Sequence, residues 1–221
     1  SGDTVVINES FSLDNDVSVN VENITIEGES GDETVSQVSD DSTKVFQINS
    51  ANVTLRDINL RSEISINAND VSVREVNIST PDSGFGIKAT GVSGVVIENN
   101  TIRNTGVNID ETAQAVYLSD SSGTIDQNTI RGVADSNKGS SKAIFVGDSD
   151  EEIEASVTIT DNRISNVSVD ESNFADGGAG AYGVLVDADV SDLEISGNTI
   201  HHLSGLWAHG IGLEGPTPGA N

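Results

Sequence analysis

"GVVIENNTI", residues 94–102, carries apolar residues at alternate positions on both sides of an asparagine pair. A period of two marks a half-buried strand, so this stretch predicts a strand, a tight bend and a second strand. Asparagine suits such a bend because it tolerates left-handed backbone angles at lower cost than other non-glycine residues. The same arrangement recurs in "NVTLRDINL" (52–60), "DVSVREVNI" (70–78), "GTIDQNTI" (123–130), "SVTITDNRI" (156–164) and "DLEISGNTI" (192–200), with an earlier relative in "NITIEG" (23–28). Taking Ile26, Leu55, Val73, Ile97, Ile125, Ile159 and Ile195 as anchors, the steps are 29, 18, 24, 28, 34 and 36 residues. A constant motif at uneven spacing is a stack of structural repeats joined by loops of different length.

Asn100, Asn128, Asn162 and Asn198 each stand three residues after an anchor. Copies stacked at roughly 4.8 Å would bring these amides into a ladder, each able to bond the next. A third strand precedes each of the later copies, in "GFGIKATG" (84–91), "AQAVYLSD" (113–120), "SKAIFVGD" (141–148), "AYGVLVDA" (181–188) and "AHGIGLEG" (208–215). Three short strands per turn with uneven loops describe an all-β, right-handed parallel β-helix of about seven to eight coils. The expectation is one domain over residues 1–221. Residues 1–30 form the opening rung and N-terminal cap, and 208–221 hold the last visible rung. That rung lacks a following partner, so further chain or another subunit is expected to cover it.

These repeats resemble the pectate-lyase-like superfamily, in particular the "GI-x-L … V-x-I-x-N-N-x-I" β-helix repeats of many archaeal surface proteins. The resemblance spans nearly the whole chain. It is specific for fold and weak for function, because one fold hosts many activities.

The 221 residues carry 36 Asp and Glu against 10 Lys and Arg, a net charge of −26, with no cysteine. The charge opposes binding to nucleic acid and to anionic membranes. No apolar run approaches the roughly 18 residues of a membrane span, so no direct membrane insertion is expected. The acids are interleaved with regular Val and Ile rather than gathered into a disordered block. With only four lysines, the composition resembles that of proteins from salt-loving archaea, whose surface repulsion molar salt screens to about 3 Å. An ordinary acidic secreted protein is the alternative. Without cysteine there is no disulfide, thiolate metal site or cysteine nucleophile.

In the third strands, Ile87, Val116, Ile144, Val184 and Ile211 are expected inward. Phe85, Gln114, Lys142, Tyr182 and His209 then form one outward column, and Lys88, Tyr117, Phe145, Leu185 and Gly212 a second. Aromatic rings are only 4% of the chain, so their gathering on one outer face suggests either a platform for the apolar faces of sugars or a satellite core beneath the long preceding loops. The candidate glycan-binding set is Phe85, Lys88, Tyr117, Phe145, Tyr182, Trp207 and His209, for a glycan or surface protein as partner.

Catalytic signals are incomplete. His209 in "AHGIGLEG" resembles the Gly-His-Gly histidine of polygalacturonases, but that family's Asn-Thr-Asp and Arg-Ile-Lys do not occur, and the only Asp-Asp, Asp40–Asp41, lies far upstream. A pectate-lyase-like reading needs a basic proton abstractor and calcium held by acids. Lys142 with Asp148 and Asp187 would supply the first, and Asp148 and Asp150 are the candidate calcium ligands. Otherwise no cofactor is expected. His201, His202 and His209 offer metal-ligating nitrogens, yet adjacent strand residues share one ion poorly. Six Asn-x-Ser/Thr sequons, at Asn8, Asn23, Asn52, Asn77, Asn99 and Asn166, would accept glycans in an extracellular protein. Together these readings lead to a non-catalytic module at a cell or virion surface, with a polysaccharide lyase or glycoside hydrolase as the alternative.

Overall fold

The computed structural model describes residues 2–37, 45–106, 112–135, 140–147, 153–169, 180–187 and 190–214. Among these residues 24 strands form three sheets of eight strands each, and every pairing between them is parallel. Successive strands pass from sheet to sheet in the order A, B, C, and each pairs with the strand three later in the same sheet. Sheet A begins with Asp3–Ile7 and ends with Val190–Ser196; sheet B runs from Phe11–Leu13 to Thr199–Ser204; sheet C runs from Val17–Val19 to Trp207–Leu213. The molecule is a right-handed parallel β-helix, with eight coils among the described residues, the hand expected of parallel crossovers.

The repeat anchors are in register throughout: Ile26 faces Leu55, Leu55 faces Val73, and Val73, Ile97, Ile125, Ile159 and Ile195 follow in line. Leu55, Val73, Ile97, Ile125 and Ile159 are 0% exposed. Burying such a side chain is worth about 1.5–3 kcal/mol, and each coil adds one to the axial core.

The corner between sheets A and B holds the asparagine ladder. Asn128 shows its chemistry in full. Its amide nitrogen donates to the Ile97 carbonyl at 2.8 Å and to Asn162 Oδ1 at 3.0 Å. Its oxygen accepts from the Asn100 backbone nitrogen at 2.9 Å and the Asn100 amide at 3.0 Å. Two donors and two acceptor sites are thus all used. Asn162 bonds Asn198 in the same way at 3.0 Å.

One expectation about this corner is corrected. The left-handed residue is not the ladder asparagine but the one before it: Asn99 (φ 56°), Gln127 (55°), Asp161 (53°) and Gly197 (68°). The bend turns the following side chain inward, so the ladder position is a buried slot. In the earlier coils, Asp57 and Glu75 take the left-handed place and the slot holds the buried apolar side chains Ile58 and Val76. There an exposed pair runs alongside, with Asn77 donating to Asn59 Oδ1 at 2.9 Å.

Candidate ligand-binding face

The outer side of sheet C is built by a repeated kink. Phe85 pairs with Gln114 and Ile87 with Val116, while the small residues between them, Gly86 and Ala115, drop out of the ladder. Ala143, Gly183 and Gly210 repeat the omission. Each small residue from Gly86 to Gly183 is buried together with the Ile or Val that follows it. A Cβ on Gly86 would approach the Ala115 carbonyl oxygen to 2.6 Å, and one on Gly183 would lie 2.6 Å from Ile200 Cγ2. Strict alternation would have turned Phe85 inward. The kink instead leaves the outward residues three apart, at Phe85 and Lys88, Gln114 and Tyr117, Lys142 and Phe145, and Tyr182 and Leu185.

Ile87, Val116, Ile144 and Val184 are 0% exposed, whereas Ile211 is 49% exposed. It belongs to the last coil among the described residues, where Leu213 (59%) and Trp207 (59%) are also open.

The two outward columns merge into one stack. Phe85 and Tyr117 lie with ring centroids 5.7 Å apart and 18° between planes, and Tyr117 and Phe145 at 5.1 Å and 6°. Lys88 Nζ sits 4.7 Å from the Phe85 centroid, and Lys142 Nζ 3.8 Å from that of Phe145. The rings cover one another's faces along the helix axis, and ammonium groups lie over Phe85 and Phe145. The ring faces of Phe85, Tyr117 and Phe145 are therefore turned toward one another. The stack stabilises the face itself, through ring pairs worth about 0.5–1.5 kcal/mol each and cation–π contacts.

Further along the axis, Tyr182 stacks on His209 at 5.3 Å and 13°, and the Tyr182 hydroxyl donates to Glu214 Oε1 at 3.3 Å. Partial burial and the neighbouring Glu214 carboxylate hold the Tyr182 phenol above its ordinary pKa. His209 and Trp207 are the exposed rings of this end.

The polar groups of the face are unevenly satisfied. Gln114, between Phe85 and Lys142 in the ladder, is 7% exposed, and its Oε1 has no hydrogen-bond partner among the described residues. Leaving such an acceptor buried and unmet costs about 1–3 kcal/mol. Burial pushes the Lys142 ammonium below the ordinary lysine range, against the opposing pull of the Asp187 and Glu214 carboxylates. At the face's upper margin burial raises the Glu63 carboxyl, opposed by the Ser83 hydroxyl, which donates to it at 2.7 Å, and by the charge of Lys88. Lys88 and Lys142 are the only lysines among the described residues, and both stand here; Lys44 and Lys138 lie outside those residues.

The remaining candidates fall as follows. Asp187 is exposed at the end of its strand, close enough to act on Lys142, while Asp148 and Asp150 lie outside the described residues. Among the described residues no group of three or more His, Cys, Asp or Glu is placed to hold a metal ion. His201 and His202 contact each other, Nδ1 to Nδ1 at 2.8 Å, on sheet B, whereas His209 is on sheet C. The six sequon asparagines, Asn8, Asn23, Asn52, Asn77, Asn99 and Asn166, are all exposed. Sequence reasoning missed the unmet Gln114 acceptor. It also missed an exposed asparagine series on sheet C, Asn20–Asn49–Asn67, bonded at 3.1 and 2.9 Å.

Residues 9–200 match the family described as right handed beta helix region, and the chain belongs to that family. No curated protein and no solved structure matches it.

Proposed function

We propose that this chain is a non-catalytic recognition module of an extracellular, cell or virion surface, of the pectate-lyase-like kind, which binds a glycan across the outer face of sheet C. The observation that carries the reading is the unmet, buried Gln114 acceptor between Phe85 and Lys142, flanked by the two ammoniums of Lys88 and Lys142. A sugar hydroxyl satisfies a buried amide oxygen, and acidic substituents pair with ammonium groups. Tyr182, half-buried, and the exposed His209 and Trp207 extend the face with further rings. A flat face with few deep contacts suits a module that binds through several weak points. The exposed sequon asparagines fit an extracellular setting, in which glycans would be carried as well as bound.

Binding of neutral and acidic oligosaccharides by the full chain tests this reading. Gln114→Leu and Lys142→Gln are expected to weaken the best ligand about tenfold each, the loss of one good polar contact. Ligands whose affinity ignores both substitutions would show that the face is not used.

A polysaccharide lyase is the second reading, favoured by the burial that leaves more of Lys142 in the neutral form able to take a proton. Unsaturated products from an acidic polysaccharide, lost in Lys142→Ala, would replace the module with an enzyme.

The net charge of −26 also supports an origin in a halophile or one of its viruses. Self-repulsion of that size destabilises the compact state until salt screens it. The melting temperature is expected to climb steeply from low to molar sodium chloride, and a flat profile would remove the halophile from the proposal.

A further inference from the structure

Sheet B differs in chemistry from the rest of this acidic chain. Among its strand residues the only acid is Asp135, and it is 1% exposed. Its outer side carries Arg61, Arg103, Arg131 and Arg163, all exposed. None of these four lies within salt-bridge distance of a carboxylate among the described residues, whereas Arg56 and Arg74 on sheet A pair with Glu27 and Glu98. In a chain of 36 acids, four arginines on one face with no carboxylate partner among the described residues are not what a solvated acidic surface produces by default.

The register sharpens the point. Arg103 stands directly opposite Arg131 on the neighbouring strand, with Ser79 and Ser165 beyond them in the same row. Arg163 stands opposite Thr129, in a row with Thr101 and Thr199. Like charges facing each other across a sheet are destabilising. A carboxylate at Ser79, Thr129 or Ser165 would relieve them, and the protein places hydroxyls there.

A second row widens the strip. Asn104, Gly132, Asn166 and His202 adopt left-handed angles (φ 54°, 69°, 54° and 55°). At each of these coils two successive residues therefore face out: Arg103 with Asn104, Arg131 with Gly132, Ser165 with Asn166 and His201 with His202. Beside the last of them is an open hollow lined by Asn166, Ser168, His202, Leu203 and Ser204.

Guanidinium groups grip carboxylate and sulfate oxygens in pairs, and hydroxyl and amide side chains accept or donate to the groups between them. Strand rows spaced about 4.8 Å apart present this chemistry at regular intervals. The middle coils of the strip offer no exposed aromatic or aliphatic side chain, which the core of a protein–protein interface requires.

We propose that the outer face of sheet B binds an acidic polysaccharide, a chain of carboxylate- or sulfate-bearing sugars laid across the coils against Arg61, Arg103, Arg131 and Arg163. The site is separate from sheet C and does not depend on the reading of that face.

The test measures binding of the full chain, in 0.15 M salt, to an alginate hexasaccharide, a heparin hexasaccharide, neutral cellohexaose and a single-stranded DNA 20-mer. The wild type is compared with Arg103→Gln/Arg131→Gln and with Lys142→Gln, all checked for an unchanged melting temperature. The expected result is binding of one or both acidic hexasaccharides, the preferred one reporting carboxylate or sulfate. The arginine pair should weaken that binding at least tenfold whether Lys142 is present or replaced by Gln, and any binding of cellohexaose should be the same with and without the arginine pair. An acidic ligand lost in Lys142→Gln but kept in the arginine pair would move the site to sheet C and overturn the proposal. So would no acidic-sugar binding, or DNA held more tightly than either saccharide. Self-association of the unliganded chain that the arginine pair abolishes would overturn it in favour of a second copy as the occupant. If the arginine strip has another role and the double variant does not fold, Arg131→Lys must still weaken binding, because a lysine keeps the charge and loses the paired grip.

Discussion

The corner between sheets A and B and the outer face of sheet C lie on the same coils, yet they are built on opposite rules. At the corner each of the lower coils repeats the last: a left-handed residue, an inward asparagine, a strand. On sheet C each coil differs from the last, with Phe85, Gln114, Lys142, Tyr182 and His209 following one another in a single row. A repeated side chain gains from its neighbours, because each ladder amide completes the next one's hydrogen bonds. A varied row has no such mutual dependence, so its composition is free to serve recognition. Uniformity here marks where the helix is held together, and variety where side chains do not depend on one another in series.

The largest effect that would break this contrast is at the centre of the ladder. Asn128→Ala leaves the Ile97 carbonyl and the Asn100 backbone nitrogen without their partners, each at a cost of about 1–3 kcal/mol. Chemical denaturation is expected to show a loss of about 4 kcal/mol. Asn198→Ala, at the half-buried end of the same ladder, should lose about 1 kcal/mol, the size of one ordinary hydrogen bond. Equal losses at the two positions would mean that the ladder does not act in series.

Next comes the stack. Tyr117 lies between Phe85 and Phe145, so Tyr117→Ala removes two ring pairs and should cost about 2 kcal/mol, while the spectroscopic signature of the folded sheets stays intact. A loss as large as that of Asn128→Ala would make the sheet C face part of the framework rather than a surface upon it.

The smallest effect is a titration. Burial lowers the proton affinity of Lys142 in the folded chain, so the unfolded chain binds the extra proton between that lowered midpoint and the ordinary lysine value near 10.4. Stability should therefore rise with pH across that window. The Lys142 side-chain resonances, followed by NMR, should titrate below the ordinary value. A midpoint at or above it would mean that the neighbouring Asp187 and Glu214 outweigh burial.

The corner was readable in the sequence because its requirements are local. The anchors and the asparagines three residues after them are fixed by strand alternation and by one bend, and both sit within nine residues. Even so, the left-handed residue was misplaced by one position, since Asn99 and Asn100 are both asparagine and only one of them turns. The first three strands of sheet C, Val17–Val19, Val45–Ile48 and Glu63–Ile66, carry no small-Ile-x-Leu signature and went unread. The occupation of the ring faces was beyond reach for a different reason. It depends on side-chain torsions across coils about 30 residues apart, which composition does not encode. The arginine strip was hidden by the total charge: a sum of −26 says nothing about a face whose described strand residues include no exposed acid.

The steps between ladder asparagines are 28, 34 and 36 residues, and between the earlier exposed pair 18, while the corner geometry does not change. All the difference in length is taken up on the way to and from sheet C. Such a molecule is a scaffold with standard joints and exchangeable spans. New peptide grafted into those spans should leave the coils closed, so the chain can acquire a different specificity by lengthening a loop, without redesigning the structure that carries it.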